Sequence, residues 1–427
     1  MSSAPTSKTA LRVDADRLRA DLEALSAIGA TPEGGVSRPS FSDAHLAARA
    51  WFLERAAAVG LETQIDAAGN HSAILRRSPR PDVPTLLLGS HLDSVPGGGR
   101  FDGALGVLAA LEVLRTVQDA GLEPRTVLEA IDFTDEEGTL VGLLGSHALA
   151  GTLSPDVLHA PRGGRDALVL GLERAGLVER RLAEARRDPA SLAGYLELHI
   201  EQGPKLERMG VDIGIVTTIV GARSFFIVFR GRPAHSGTTP MDAREDAGIG
   251  AASFVLAARE IVMHDFPSSV ATVGDVRFEP GAFNVVPGSA RLALDLRSPD
   301  ANELDRLESV LLARARAVAN AHRLDLEISP VGSWPPTALD DEVRAAIGRS
   351  AQALGLSAFD LPSGAGHDAQ ALAPVTPSGM IFVPSVGGVS HAPGENTRWQ
   401  DCVNGANVLL GTVVELACGR EPGLAGA

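Results

Sequence analysis

Five segments of the chain concentrate side chains that bind cations or move protons. In LLLGSHLDSVPGGGRFDGALGV, His91, Asp93 and Asp102 surround a glycine-rich turn that directly follows an apolar run. Imidazole and carboxylate oxygen together suit a divalent metal such as zinc, and a nearby carboxylate, here Asp93, could fix the tautomer and orientation of His91. An Asp/Gly-rich surface turn with an incidental histidine has the same composition, so this segment alone leaves both readings open. In TVLEAIDFTDEEGT the next apolar run ends in Asp135, Glu136 and Glu137. Adjacent carboxylates repel; a cation held by one of them would compensate, leaving its neighbour to act as a general base on water. A solvated acidic loop is the plainer alternative. His199 in YLELHIEQGP and His391 in FVPSVGGVSHAPGENT also follow strand-like stretches, whereas His235 in GRPAHSGTTPMDAREDA falls in a different part of the chain and is not expected among metal ligands.

The elements that must position these residues follow from the hydrophobic pattern. Helix over 43–59, strand over 85–89, helix over 102–120 and strand over 126–133 alternate as in an α/β sheet with parallel strands. The chemistry-bearing residues come just after the apolar runs, at the carboxyl ends of strands, where open α/β sheets place ligands. From about 219 to 335 the order becomes strand (224–230), helix (242–264), strands (271–278 and 290–297), helix (302–322) and strand (324–329), the β-α-β-β-α-β order of a ferredoxin-like unit. Alternation returns beyond it and ends in a strand over 380–383, and the Arg/Ala-rich stretch 161–193 reads as a helical excursion of the larger domain. The expected fold is α/β: a mixed, largely parallel sheet domain flanked by helices, formed by 1–218 and 336–427 and interrupted by a smaller α+β domain over 219–335.

Composition sets bounds on partners. At 427 residues two domains are natural, and 44% hydrophobic with 21% charged residues is ordinary globular usage. A formal net charge of −15 disfavours nucleic acid, whose binding rests on Lys and Arg neutralising phosphates. Cys402 and Cys418 are too few for a disulfide framework, which fits a reducing compartment. The opening MSSAPTSKTALRVDADRL lacks the apolar run of a signal peptide, and no stretch of about 18 uninterrupted apolar residues suggests a membrane span. A cytoplasmic location with no membrane partner is expected.

Taken together and in order, GSHLDSVPGGGRFDG, DEEG, LELHIEQGP, GRPAHSGTTPMDAREDA, FNVVPG followed by LDLR, SGAGHDAQ and FVPSVGGVSHAPGENT resemble the dimetal M20 peptidase-like superfamily, over nearly the whole chain. Within it the resemblance is to the N-carbamoyl-amino-acid and allantoate amidohydrolases. It implies two divalent ions per subunit, zinc first with manganese, cobalt or nickel as alternatives. One would be held by His91 and His199, the other by Glu137 and His391, with Asp102 bridging. Glu136 would be the general base and later the acid, and His235 would stabilise the oxyanion. Gln202 and Asn284 would contact polar substrate atoms, and Arg297 would clamp a substrate carboxylate. The glycines around Gly364 would allow close approach of a ligand, while His367 would either orient substrate or fill structure.

The resemblance further implies that the inserted domain acts as a lid over bound substrate and pairs with its twin in a homodimer, carrying the residue matching His235 into the neighbouring site. The implied reaction is hydrolysis of an N-carbamoyl amino acid to amino acid, ammonia and carbon dioxide. Allantoate is the nearest alternative. An aminoacylase or dipeptidase is disfavoured by His199, where peptidases of the superfamily usually place a carboxylate. A catalytically silent binding protein is disfavoured because all five ligands and Glu136 are retained. The chain departs from its relatives after DEEG, where Leu140 and Val141 replace a common Arg-Phe pair and His147 stands where GSR is common.

Overall fold

The computed structural model describes residues 11–78, 80 and 82–419; residues 1–10, part of the opening searched for a targeting signal, lie outside them. Its strands are β1 (Glu62–Ile65), β2 (His71–Leu75), β3 (Thr85–His91), β4 (Val127–Phe133), β5 (Leu192–Ile200), β6 (Ile213–Ile219), β7 (Gly221–Arg230), β8 (Ala234–His235), β9 (Val270–Glu279), β10 (Val285–Val286), β11 (Ser289–Ser298), β12 (Asp325–Trp334), β13 (Thr337–Ala338), β14 (Ala358–Ser363) and β15 (Ser378–Val383). Two compact units result. One comprises the described residues up to Thr217, Ala338–Leu361 and the described residues from Ala365 onward, and the other Thr218–Thr337 with Pro362–Gly364. The short Pro362–Gly364 segment thus groups with the second unit, outside the expected 219–335.

The first unit is built on a nine-stranded mixed sheet in the order β1-β2-β4-β3-β5-β15-β6-β13, with β14 on β6. Its centre, β4-β3-β5-β15, is parallel. Every residue of β4 and β15 is buried, as expected for strands covered on both faces. The charged residues inside β4 are therefore partnered: Glu129 with Arg187, and Asp132 with Arg49. The chain runs on from β3 to β4 on one side, whereas from the adjacent β5 it runs on to β6 on the other, so the carboxyl ends of β3 and β5 flank a topological switch point. Helix Ala104–Asp119, buried along nearly its whole length, packs close to β5 through Gly106, where a Cβ would come within 2.3 Å of the Leu198 carbonyl oxygen.

The second unit is a four-stranded antiparallel sheet, β12-β7-β11-β9, with β8 and β10 forming a small separate ribbon. Alternate residues of β11 are buried, and they pack with helices Ala247–Asp265 and Ala301–Ala321 into a separate core that includes Phe229, Phe254, Leu292, Leu296 and Leu307. Helix Ala247–Asp265 is long and apolar enough to cross a membrane by length and composition, but here Ala251, Phe254, Ala258 and Val262 belong to that core.

Two elements differ from expectation. The helix expected from 242 begins at Ala247, because the Asp246 side chain caps it by accepting from the backbone nitrogens of Gly248 and Ile249. The stretch 161–193 contains one ten-residue helix, Arg165–Arg174, and two short 3-10 segments. Pro161, Gly163, Gly164, Gly176 and Pro189 punctuate the rest.

Candidate metal centre and active site

Four strand ends bring the polar residues to one edge of the first unit's sheet. His91 closes β3 opposite Phe133, the last residue of β4, after which the chain runs directly into Asp135, Glu136 and Glu137. His199, near the end of β5, lies opposite Phe382 of β15, which leads on to His391. Asp102 precedes helix Ala104–Asp119. Between them Gly103 takes φ +61°, and a Cβ there would fall 2.4 Å from His91 Cε1, so only glycine lets the helix start against the imidazole.

Asp102 is the centre of the cluster. Its Oδ1 lies 3.5 Å from His91 Nε2 and 3.1 Å from His199 Nε2, and its Oδ2 lies 3.4 Å from His391 Nε2. His391 Nε2 is also 3.3 Å from Glu137 Oε2. The donors therefore form two triads sharing Asp102, His91/Asp102/His199 and Asp102/Glu137/His391, each with its ligand atoms within 4.8 Å of one another.

The hydrogen bonds decide which imidazole nitrogens face inward with lone pairs. His91 Nδ1 is 3.0 Å from the Asp93 carbonyl oxygen and His199 Nδ1 is 2.9 Å from that of Ile200. Carbonyls only accept, so each Nδ1 carries the proton and each Nε2 turns a lone pair towards Asp102. The Gly103 N–H donates to His199 Nε2 at 3.3 Å, as that tautomer requires. Lone pairs facing a carboxylate repel it, and His91 Nε2 is buried without any hydrogen-bond partner. A divalent cation between these donors converts repulsion into attraction, and the His/carboxylate set suits zinc, manganese, cobalt or nickel.

Protons compete for the same lone pairs. Burial opposes charge on His91, but Glu136, Asp102 and Asp93 outweigh it and raise its pKa well above the ordinary histidine value. The hydrogen bond with Asp102 raises His391 to about 9. Burial, reinforced by Asp102, lifts Glu137 to about 7. Burial also pushes Glu136 well above the usual carboxylate range, and its Oε2 lies 3.5 Å from His91 Nε2. This carboxyl group stands beside the triads, placed to take and return a proton.

The supporting contacts correct one expectation. The Asp93 backbone carbonyl, not its carboxylate, faces His91 Nδ1; the nearest carboxylate oxygen is 3.7 Å away. That carboxylate instead accepts from the backbone nitrogens of Glu136 and Glu137, each at 3.3 Å, and from the Ser40 hydroxyl at 2.8 Å. Asp93 thus aims the turn that bears Glu136. Asp135, at φ +56°, accepts from the backbone nitrogens of Leu140, Val141 and Gly142 and closes the same loop. Leu140 is buried with Phe41, Leu144 and Leu168 in a small core, and His147 bonds Thr152 through Nδ1 at 2.7 Å.

Ser390 and Glu395, which carried no assigned role in the sequence, join the cluster, and Gln202, assigned there to polar substrate atoms, also contacts it. The Gln202 amide donates to Asp102 Oδ2 at 2.8 Å, and the Ser390 hydroxyl lies 3.1 Å from the same oxygen and 3.0 Å from Glu395 Oε2. Glu395 Oε1 accepts from the backbone nitrogens of Phe101 and Asp102 at 3.1 Å each. Gln202 and His391 both hold positive φ, +59° and +54°, conformations uncommon for such residues and often found at functional sites. Beneath the cluster, Asp132 accepts from Arg49 and from the Leu92 nitrogen, each at 2.8 Å, tying the His91–Asp93 turn to β4.

His367 is buried, its ring edge-on to His199 at 4.6 Å between centroids. Its ligand atom also lies within 4.8 Å of those of Glu197 and His199. His199 has only one lone pair, however, and Glu197 already accepts from Ser90 Oγ and the Ala369 nitrogen, so these residues support His199 and add no third set.

The remaining assigned residues belong to the second unit. His235 is exposed on β8 in register with Val285, and Asn284 accepts from the Ser236 nitrogen through its carbonyl. Arg297 pairs with Asp295 at 2.8 Å and donates to the Gly364 carbonyl at 2.9 Å.

The pattern of peptidase family M20/M25/M40 matches residues 87–415. The chain belongs to this family. An N-carbamoyl-L-amino acid amidohydrolase of Geobacillus stearothermophilus is 39% identical over 410 residues, 96% of this chain and 100% of the relative. An allantoate amidohydrolase of Bacillus subtilis is 32% identical over 400 residues, 93% and 96% of the two chains. Among solved structures, an amidase of the hydantoinase/carbamoylase family from Burkholderia multivorans superposes with a TM-score of 0.88 at 35% identity, covering 96% of this chain and 99% of its own. This M20 protein therefore lies in the hydantoinase/carbamoylase branch and is a hydrolase of carbon–nitrogen bonds.

Proposed function

We propose that the protein hydrolyses the ureido carbon–nitrogen bond of an N-carbamoyl amino acid, releasing the amino acid, ammonia and carbon dioxide. The observation that carries this reading is the convergence of three imidazole Nε2 atoms on Asp102, with Glu136 beside one of them. His91 and His199 would hold one divalent ion and Glu137 and His391 the other, with Asp102 between. Such ions supply Lewis acidity, lowering the pKa of a water and polarising a carbonyl oxygen. Glu136 accepts the proton of the attacking water at its carboxylate and returns it to the leaving nitrogen, with burial raising its pKa above the usual carboxylate range.

By the family resemblance, His235 stabilises the developing oxyanion, Gln202 and Asn284 orient the ureido group, and Arg297 binds the carboxylate. Self-association through the second unit is part of the same reading. Ile249, Leu256 and Met263 recur every seven residues on the exposed side of helix Ala247–Asp265, and edge strand β9 leaves Val270, Val276 and Phe278 exposed. Sedimentation should therefore give a dimer. Cys402 and Cys418 are both buried, and a cytoplasmic location is part of the same reading.

The test is ammonia release from N-carbamoyl amino acids and from allantoate by protein of known metal content. Faster turnover of N-carbamoyl amino acids supports the proposal, faster turnover of allantoate gives the enzyme that substrate instead, and no ammonia from either removes the reading.

A further inference from the structure

The Asp102/Glu137/His391 triad draws its histidine from a loop rather than from a strand. His91 ends β3 and His199 lies in β5, both buried, whereas His391 stands at φ +54° in a loop where Pro393, Gly394 and Asn396 are exposed. Within that loop Glu395 turns inward and is only 4% exposed. Gly99 makes room for it: a Cβ there would fall 1.9 Å from Glu395 Oε1 and 2.0 Å from its Cδ.

Glu395 has no part in the proposed proton transfers, yet both of its oxygens are engaged. Oε1 accepts from the backbone nitrogens of Phe101 and Asp102 at 3.1 Å each, and Oε2 lies 3.0 Å from Ser390 Oγ. Ser390 Oγ is in turn 3.1 Å from Asp102 Oδ2, the oxygen that faces His391 Nε2 at 3.4 Å. One side chain thus joins the backbone that bears Asp102, the carboxylate of Asp102 and the residue directly before His391. A hydroxyl has one proton to give and ionised carboxylates only accept, so Ser390 donates to one of the two at a time. An amide at position 395 would keep its oxygen on the two backbone donors and give its NH₂ to Ser390, freeing the hydroxyl proton for Asp102.

We infer that Glu395 is a positioning residue for one of the two ions: through Ser390 it holds His391 against Asp102, and without it the Asp102/Glu137/His391 triad loses affinity while His91/Asp102/His199 keeps its own. The inference rests on the two-ion reading above. It is tested by titrating metal-free native protein, Glu395→Ala, Glu395→Gln, Ser390→Ala and His391→Ala with zinc against a chromophoric chelator, which resolves the two binding steps. In E395A one ion should bind as in the native protein and the other at least about tenfold more weakly, the loss that removal of a ligand's supporting partner typically brings. H391A should weaken the same step, S390A should shift it in the same direction, and E395Q should stay close to native. Native binding of both ions in E395A, equal weakening of both steps, or an E395Q as weak as E395A overturns the inference. If E395A does not fold, S390A, which removes a single oxygen atom, decides alone: two native affinities there overturn it. Fewer than two ions bound by the native protein removes the two-ion reading and this inference with it.

Discussion

Asp93 Oδ1 accepts a hydrogen bond from the backbone nitrogen of Glu136 at 3.3 Å, so the carboxylate that looks in sequence like a histidine partner is in space the support of the general base. Asp93→Asn replaces one acceptor oxygen by an NH₂ group, which must face either the Glu136 or the Glu137 N–H. A buried donor left unpaired costs about 1–3 kcal/mol. We expect kcat to fall at least about tenfold, since 1.4 kcal/mol is a factor of ten, with metal content little changed. An unaltered kcat would mean that the turn holds its shape without Asp93.

Glu136→Gln preserves shape and removes proton exchange. Turnover should fall by at least about 100-fold while the metal remains bound, because general acid–base catalysis contributes about 100- to 10,000-fold. Single-turnover rates beside elemental analysis check this; near-normal turnover would assign the base elsewhere.

Arg49 and Asp132 form a buried pair, 1% and 0% exposed. Arg49→Ala leaves an uncompensated charge whose pKa burial already raises to about 6, and breaking such a pair costs about 3–5 kcal/mol. The urea midpoint of the metal-loaded protein should drop sharply. Adding Asp132→Asn should recover part of the loss, since the amide oxygen still accepts from Leu92 and no charge remains buried; no recovery would contradict the electrostatic cause.

Metal binding should tighten as pH rises. Glu137 is raised from 4.5 to about 7 and His391 from 6.5 to about 9, so in the metal-free fold each stabilises fully below its unfolded pKa and loses that contribution as pH rises through the folded value. Metal displaces both protons, so its binding competes less with protons at higher pH. The gap in melting temperature between metal-loaded and chelated protein should widen from roughly pH 6 to roughly pH 8.5. A narrowing gap would show that these groups do not bind the ions.

The architecture was legible because hydrophobic period separates element types: the 224–329 stretch alternates or repeats helically and becomes the β-α-β-β-α-β unit, and β4 and β15 read as buried runs. The cluster residues were legible because each follows such a run. The direction of a polar side chain was not. Nothing local distinguishes Asp93 bonding two backbone nitrogens 43 and 44 positions away from Asp93 bonding His91. Ser390 and Glu395 stand inside the VSHAPGEN motif, yet their link to Asp102 exists only after a loop closes over nearly three hundred positions. Stretch 161–193 misled because Arg and Ala favour helix, while its prolines and glycines cut the run.

The most direct test is a titration of chelated protein with zinc or manganese, following ammonia release from an N-carbamoyl-L-amino acid against metal bound per chain. Activity should be lost on chelation and return in full at two ions per chain, with His91→Ala and His391→Ala each lowering the bound stoichiometry. Full activity in stripped protein, or two ions bound with no hydrolysis of any ureido acid, would contradict the account.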